Sequence, residues 1–212
     1  MKEKRILLTA IGSFSARAII KRLKELGFFV FGMDCYPKEW VVNAALVDGF
    51  IQVPLVSKEE DYEEACFSIV ENRGIDAIFP LTDIEVDYFY KNRKKYEEKG
   101  IVLLLPKGDL SLIRNKYLLG RNLSLSMEKG FSVIEGKGYE EMDFSEPEFP
   151  LVAKLKSGRS SEGLHYIHSE DQLGFFLNQV FREQKEDAYF FQKQIQGKIY
   201  TVDLFRGESG VE

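Results

Sequence analysis

Residues 5–34, RILLTAIGSFSARAIIKRLKELGFFVFGMD, contain in order an apolar run, an amphipathic stretch and a second apolar run. The short apolar runs at residues 5–10 and 28–34 predict two buried strands. Between them, apolar residues recur at helical spacing up to Leu26, and Gly27 follows where a helix would end. A strand, a helix and a strand in this order predict two parallel strands joined by a helical crossover.

The same alternation continues through the first half of the chain. Further strands are predicted at residues 50–53, 77–79 and 101–105, and further helices at residues 40–47, 58–73 and 85–99. Five short apolar strands separated by helices predict a parallel sheet covered on both faces. The predicted fold class of this half is therefore α/β, a doubly wound, Rossmann-like parallel sheet.

The pattern changes after residue 106. Helices are predicted at residues 110–115, 117–129 and 170–181, and strands at residues 151–156, 164–167, 189–195 and 199–205, with an irregular acidic connection at residues 136–150. Paired strands with a helix indicate an α+β module, which differs from the first half. We therefore expect two domains, at residues 1–108 and 109–212.

Composition excludes several classes of protein. Hydrophobic residues make up 44% and charged residues 30% of the chain, as in an ordinary globular protein. The net charge of −5 argues against a nucleic-acid partner, and no apolar run approaches the roughly 20 residues that span a bilayer. Cys35 and Cys66 lack metal-site spacing and are expected to be reduced thiols. With no secretory signal visible, the expected location is the cytoplasm.

The loop after the first predicted strand is a candidate dinucleotide site, with Asp34 ending the next strand. Gly12 is present, but Phe14 and Arg17 stand where the fingerprint needs two further glycines. A phenylalanine puts bulk where a pyrophosphate would lie. We therefore favour a structural role, in which Gly12 makes a tight turn and Asp34 caps or solvates a strand end.

Residues 150–163, PLVAKLKSGRSSEG, form the second candidate site. Alternation along the predicted strand places Lys154 and Lys156 on the face opposite the apolar residues. The following loop has a glycine at each end and contains two serines and Arg159, groups that suit a polyphosphate. The alternative is a solvated hairpin whose lysines protect an exposed sheet edge. The residues alone do not decide between these interpretations.

Four segments in order carry a family resemblance. Residues 149–163 resemble the ATP-grasp pattern of a strand lysine followed by a glycine-rich flap, and residues 191–197, FQKQIQG, resemble its adenine-binding hinge. Residues 80–85, PLTDIE, and 115–117, NKY, are similar to two further motifs. The chain thus resembles carbamoyl-phosphate-synthase large-subunit-like proteins of the ATP-grasp superfamily, over the leading domain and the first part of the ATP-grasp domain.

The resemblance implies an ATP site in the second half. Two lysines, Lys116 and Lys154, would contact the phosphates. The loop that covers the phosphates would contribute Gly158, Arg159, Ser160, Ser161 and Gly163. The hinge would hold adenine through the side-chain amide of Gln192 and the backbone groups of Lys193 and Ile195. The sequence departs from the family at Gln192, where a carboxylate is usual, and at Ile199, where a glutamate is usual.

The motif at residues 80–85 allows two roles for its acidic residues. Asp83 and Glu85 would lie at the carboxyl end of a parallel strand, where such sheets bind ligands, and so are candidates for the substrate side of the site. The alternative, which we favour, is capping of the helix at residues 85–99, with Thr82 or Asp83 as the N-cap.

The resemblance also implies cofactors and a reaction. ATP and Mg²⁺ are expected, with the metal ligands beyond residue 212 and none within the chain, so the 212 residues alone are expected to turn over no ATP. The implied activity is that of a carboxylate–amine or carboxylate–thiol ligase that forms an acylphosphate. The alternatives are a nucleotide-binding module without turnover and an NAD-dependent oxidoreductase. The expected partners are the nucleotide and a small carboxylate; a homodimer stays open.

Overall fold

The computed structural model describes residues 4–125, 132–202, 206–207 and 210–211. The chain divides into two compact units, Met1–Gly108 and Asp109–Glu212. A five-stranded parallel sheet forms the first unit, and a four-stranded antiparallel sheet lies in the second. The predicted fold class, a doubly wound parallel sheet followed by an α+β module, is therefore confirmed.

The parallel sheet has the strand order β3-β2-β1-β4-β5. Its strands are β1 (Arg5–Leu8), β2 (Phe29–Asp34), β3 (Gly49–Gln52), β4 (Ala77–Phe79) and β5 (Val102–Leu103). β1 is central and pairs with β2 on one side and with β4 on the other. The order reverses between β1 and β4, and at such a switch point the loops leave a crevice at the carboxyl ends of the strands.

Helices cover both faces of the parallel sheet. They are α1 (Ala16–Glu25), α2 (Glu59–Arg73), α3 (Asp83–Lys91) and α4 (Arg93–Glu97). Leu7 of β1 belongs to a core cluster that includes residues of α2, α3 and α4, whereas the adjacent Leu8 belongs to a second cluster with residues of α1. Because neighbouring side chains on a strand face opposite ways, one short run serves two cores.

Two predicted helices of the first unit differ from the structure. The helix predicted at residues 40–47 is a pair of 3₁₀ turns, Lys38–Trp40 and Val42–Ala45, separated by the buried and extended Val41. The helix predicted at residues 85–99 is interrupted at Asn92, whose side-chain amide donates to the Tyr88 carbonyl at 3.0 Å. Asparagine competes with the helix for backbone partners in this way.

The second unit contains the antiparallel sheet of order β6-β9-β7-β8. Its elements are α5 (Leu110–Arg114), α6 (Lys116–Leu125), β6 (Lys137–Gly138), β7 (Leu151–Leu155), β8 (His165–Ile167), α7 (Glu170–Arg182) and β9 (Tyr189–Lys193), followed by a ribbon of β10 (Arg206–Gly207) and β11 (Gly210–Val211). Leu173, Phe176 and Val180 of α7 pack in one cluster with Leu151 and Ala153 of β7. α7 therefore covers one face of the sheet.

The strand predicted at residues 199–205 is wrong over residues 199–202, which form no strand, and residues 203–205 lie outside the described residues. Ile199 is 96% exposed. β7 pairs with β9 from Tyr189 to Lys193, and β6 pairs with Phe190 and Phe191 on the other side of β9. The predicted helix at residues 117–129 is α6 as far as Leu125, and residues 126–129 are likewise outside the described residues. The connection at residues 136–150, predicted as irregular, contains β6 and a 3₁₀ turn.

Gly163 closes the connection between β7 and β8. Its φ is +63°, and a Cβ atom there would lie 2.5 Å from Leu155 Cγ and 3.1 Å from the Tyr189 hydroxyl. Both the backbone conformation and the space therefore require glycine. Gly174 is the opposite case, because it lies within α7 and a Cβ atom added there would meet nothing within 4 Å.

We predict opposite effects of the same substitution at these glycines. Gly163→Ala should destabilise the second unit by about 1–3 kcal/mol through strain and overlap. Gly174→Ala should stabilise it by about 0.5–1 kcal/mol, because alanine loses less backbone entropy in a helix. Hydrogen exchange of the β7 and β9 amides measures both changes. Equal protection in the two variants would contradict this account of the connection.

Candidate functional site

Lys116 is the first residue of α6 and contacts the turn that follows β7. Its ammonium Nζ donates to the Gly158 carbonyl at 2.6 Å, and its backbone N–H donates to the Lys156 carbonyl at 2.7 Å. The side-chain oxygen of Asn115 accepts from the Leu118 N–H at 3.0 Å, which is the geometry of a helix N-cap. The predicted Asn-Lys pair therefore begins a helix and fixes its start to the end of β7.

Lys154 lies on the face of β7 opposite the core residues Leu151 and Ala153. Its Nζ donates to Gln192 Oε1 of the neighbouring strand at 2.8 Å. The side chain is half-buried, and this burial lowers the pKa of Lys154, with a further lowering from the charge of Lys116. The structure thus places the two lysines, 38 residues apart in the chain, within electrostatic range of each other.

No carboxylate within residues 4–125 and 132–202 forms an ion pair with Lys116 or Lys154. The polar partners of these ammonium groups are the neutral carbonyl of Gly158 and the neutral amide of Gln192. Two positive charges that repel each other, one of them partly removed from water, are unfavourable without an anion. The arrangement suits an anionic group that contacts both.

The loop predicted as a phosphate flap is a folded turn. The Glu162 N–H donates to the Arg159 carbonyl at 2.7 Å, and the Leu164 N–H donates to the Ser161 carbonyl at 3.2 Å. Ser160 and Ser161 have φ values of 46° and 64°, a left-handed conformation that residues other than glycine adopt at a cost. The loop is therefore more constrained than a glycine-rich flap of the kind the resemblance implies.

The predicted hinge residues have different surroundings. Gln192 uses both ends of its amide, since Oε1 accepts from Lys154 and Nε2 donates to the Ile134 carbonyl at 2.6 Å. Lys193 ends β9 and its Nζ pairs with Glu148 at 3.3 Å, while Ile195 follows the strand and is 61% exposed. The structure brings Gln192 together with Lys154, and an adenine bound through the Gln192 oxygen would share it with that lysine.

Glu85, in the first unit, is a buried acid with hydroxyl partners. It is 6% exposed, and its carboxylate accepts from Thr82 Oγ1 at 2.6 Å, Thr9 Oγ1 at 2.8 Å and the Tyr62 hydroxyl at 3.0 Å. Burial raises the pKa of Glu85, although these hydroxyl donors oppose the rise. Thr82 lies between β4 and α3, Thr9 follows β1, and Tyr62 lies in α2.

The predicted N-cap position is confirmed at Thr82, but the expected capping hydrogen bond is absent. Thr82 does occupy the N-cap position of α3, but its hydroxyl donates to Glu85 and caps no backbone N–H. Asp83 is the first residue of the helix. The sequence also concealed the partners of Glu85. The signal available was a polar residue, Thr9, at the end of the apolar first strand.

Asp34 fixes the loop that was considered for a dinucleotide. Its carboxylate accepts from the Gly12 N–H at 2.8 Å and from the Tyr36 N–H at 3.1 Å, and the side chain is 5% exposed, so it caps the loop and is not solvated. A Cβ atom at Gly12 would lie 3.0 Å from Asp34 Oδ2, whereas the positive φ of this turn belongs to Ala10. The amide that a pyrophosphate would need is occupied, which argues against the NAD alternative.

A cavity of about 410 Å³ opens at the carboxyl ends of β1 to β4. Asp34 and Glu85 line it together with the aromatic side chains of Tyr36 and Trp40. This is the crevice that the reversal of strand order predicts. The first unit thus has an acidic, partly aromatic cavity, while the second has a pair of lysines.

Glu85 gives a pH prediction. An acid whose folded-state pKa is raised stabilises the fold less as pH increases, so its unfavourable contribution is absent below its ordinary pKa near 4.5 and complete above the folded value. The free energy of unfolding of Glu85→Gln, relative to the native chain, should therefore increase from pH 4.5 to neutral pH. Denaturant unfolding followed through Trp40, the single tryptophan, measures it.

Glu71→Gln is the matched control for this prediction, because Glu71 is exposed and pairs with Lys99 at 2.9 Å. Its difference from the native chain should be small over the same pH range. A Glu85→Gln difference that is independent of pH would show that Glu85 has an ordinary pKa in the fold.

Comparison with known proteins agrees with this architecture. The family model described as PylC-like, N-terminal domain, matches residues 6–104. A D-alanine–D-alanine ligase from Bacillus anthracis is 27% identical over 154 residues, which cover 66% of this chain and 50% of that protein. The chain thus spans about half the length of the curated relatives it matches. Among the described residues, no helix has the length and apolar character needed to cross a membrane.

Solved structures share the fold. The biotin carboxylase domain of 2-oxoglutarate carboxylase from Hydrogenobacter thermophilus, a dimer in complex with MgADP, ADP and bicarbonate, matches with a TM-score of 0.68 and 20% identity, over 91% of this chain and 44% of that chain. An L-amino acid ligase from Bacillus licheniformis matches with a TM-score of 0.63 and 15% identity, over 93% and 45%. The narrower resemblance to carbamoyl-phosphate synthase stays a prediction. Residues 6–104 are thus similar to a PylC-like N-terminal domain, and together the comparisons support an ATP-grasp superfamily protein.

Proposed function

We propose that the second unit binds the phosphates of ATP, and that the protein uses ATP to join a carboxylate to an amine or a thiol. The observation that carries the proposal is the pair of ammonium groups of Lys116 and Lys154, which have no carboxylate partner within the described residues. A polyphosphate supplies the negative charge that this pair lacks. The MgADP bound to the similar biotin carboxylase domain supports the choice of nucleotide.

Each residue has a distinct role in this proposal. Lys154 and Lys116 hold the phosphates and offset the charge that grows on the transferred group. The turn from Gly158 to Gly163 offers backbone N–H groups, the hydroxyls of Ser160 and Ser161, and the guanidinium of Arg159. Hinge groups at Gln192, Lys193 and Ile195 hold the adenine. Asp83 and Glu85 are assigned to the substrate side.

ATP with Mg²⁺ would transfer its γ-phosphoryl group to a carboxylate oxygen and leave as ADP. The amine or thiol would then attack the carbonyl carbon of the acylphosphate and displace inorganic phosphate. Within the described residues no cluster of three His, Cys, Asp or Glu side chains is arranged to hold a metal, so we assign no Mg²⁺ ligand. The residues of this site, Lys116 and Lys154, suit the phosphates of ATP. Burial and the charge of Lys116 lower the pKa of Lys154, and an adjacent anion opposes this lowering, so bound phosphates would favour the charged form of Lys154.

ATP should raise the melting temperature of the second unit. A ligand present at 100 times its Kd and bound to the folded state alone adds about 2.7 kcal/mol to the free energy of unfolding. Lys154→Ala should remove this stabilisation and change the unliganded melting temperature little, because a partly buried charge is lost together with its polar contact. Lys185→Ala, which removes an exposed lysine paired with Glu183, should leave the ATP response intact. Thermal unfolding followed by circular dichroism measures all three.

Tripolyphosphate and adenosine test the phosphate and the nucleoside parts of ATP separately. Tripolyphosphate should reproduce most of the stabilisation and lose it in Lys154→Ala, whereas adenosine should act equally on both proteins. An ATP response that Lys154→Ala retains would remove Lys154 from the site. Release of ADP by these 212 residues in the presence of a carboxylate and an amine would favour a ligase over a binding module, and would contradict the expectation that they turn over no ATP alone.

A further inference from the structure

The cavity of the first unit has acidic side chains and no basic one in its lining. Asp34 and Glu85, 5% and 6% exposed, both face it, and none of its lining residues is a lysine, an arginine or a histidine. Buried carboxylates are ordinarily paired with a cation. Within residues 4–125 and 132–202, neither of these carboxylates forms an ion pair.

The hydrogen bonds of both carboxylates come from neutral donors. Asp34 accepts two backbone N–H groups, and Glu85 accepts three hydroxyls. These donors hold the oxygens in place and leave the negative charge uncompensated. The charge of Asp34 also raises the pKa of Glu85 and of Cys35, so the two acids lie in electrostatic range of each other. Two carboxylates so placed attract a cation.

Aromatic rings form part of the same cavity. Tyr36 and Trp40 have ring centroids 6.1 Å apart and are 56% and 73% exposed. Exposed aromatic faces beside carboxylates attract organic cations through the ring quadrupole. Val53, Leu55 and Ile84 add apolar surface. The volume of about 410 Å³ lies within the roughly 300–1,000 Å³ of small-molecule sites.

A bare metal ion fits these residues less well. No group of three possible metal ligands occurs in the described part of the chain. The thiol of Cys35 is also no ready ligand, because burial and the adjacent Asp34 raise its pKa. An ammonium group, by contrast, needs only hydrogen-bond acceptors and a negative field, and its carbon body can contact the apolar and aromatic wall.

We infer that this cavity binds a small molecule with a primary ammonium group on an apolar body, with the ammonium at Asp34 and Glu85 and the body against Trp40. Binding of the amine does not depend on the ATP site. Its role as the amine-bearing substrate of a ligase does rest on the proposed function.

Trp40 makes the inference directly measurable, because it is the only tryptophan of the 212 residues and lines the cavity. We expect n-pentylamine to change the tryptophan emission with saturation, and 1-pentanol, the neutral molecule of the same length, to bind at least tenfold more weakly. Glu85→Gln should weaken pentylamine at least tenfold and leave 1-pentanol unchanged. Glu71→Gln, whose exposed carboxylate pairs with Lys99, should bind like the native chain.

A second variant guards against a folding defect. Asp34→Asn should also weaken pentylamine, and the unliganded emission and circular dichroism of both variants establish that the unit is folded. Equal affinity for the amine and the alcohol, or unchanged amine binding in a folded Glu85→Gln, would overturn the inference. Saturable Mg²⁺ binding that excludes pentylamine would replace the organic cation by a metal and overturn it too. Amine binding without any ATP response would support this inference and reject the proposed function. An ATP response without amine binding would support the proposed function and reject this inference.

Discussion

The hydroxyl group of Thr9 connects the two halves of the parallel sheet where the strand order reverses. It donates to Glu85 at 2.8 Å and accepts from the Leu81 N–H at 3.2 Å, and Thr9 is completely buried. The preceding Leu7 and Leu8 pack on opposite faces of the sheet, so the position of Thr9 is determined by both cores. The carboxylate of Glu85, and with it one wall of the acidic cavity, is therefore placed by the packing of the whole first unit.

Each unit contains like charges that the described chain does not neutralise. The first unit has the carboxylates of Asp34 and Glu85 in a cavity, and the second has the ammonium groups of Lys116 and Lys154 beside a turn. Such pairs cost stability in the unliganded protein, since burial and mutual repulsion both disfavour the charged forms. Proteins that keep groups of this kind commonly do so at functional sites, where a ligand of opposite charge offsets the cost.

The fold narrows the function without determining it. The similar structures include a biotin carboxylase domain and an amino acid ligase, which share the architecture at 20% identity or less. On such a scaffold the chemistry is set by particular side chains. Two local features of the second unit matter here. Ser160 and Ser161 have left-handed backbone conformations in a constrained turn, and the Gln192 side chain hydrogen-bonds to both Lys154 and the Ile134 carbonyl. Both features would restrict how the proposed nucleotide could be bound.

Local pattern determined most of the secondary structure. Apolar runs, helical spacing and terminal glycines are properties of neighbouring residues, and they sufficed for the parallel sheet, for α7 and for the face of β7 that presents Lys154. Pattern also singled out residues 80–85 and 150–163, and the structure places the buried Glu85 and the half-buried Lys154 there. Pattern failed at residues 199–202, because a strand needs a pairing partner and the pattern of neighbouring residues does not show whether one is present.

Only the tertiary structure decided which distant groups meet. In the sequence, Glu85 was the first residue of a predicted helix with Thr82 or Asp83 as its cap. In the structure it is a buried acid that accepts hydrogen bonds from Thr9 and Tyr62, which are 76 and 23 residues away. Gln192 and Lys154 meet because β9 and β7 are neighbours in the sheet. Hydrogen bonding and desolvation depend on three-dimensional proximity, whereas periodicity records only which face a residue takes. For that reason the sequence by itself determined the elements and their faces, and the packing of the elements decided the chemistry of the sites.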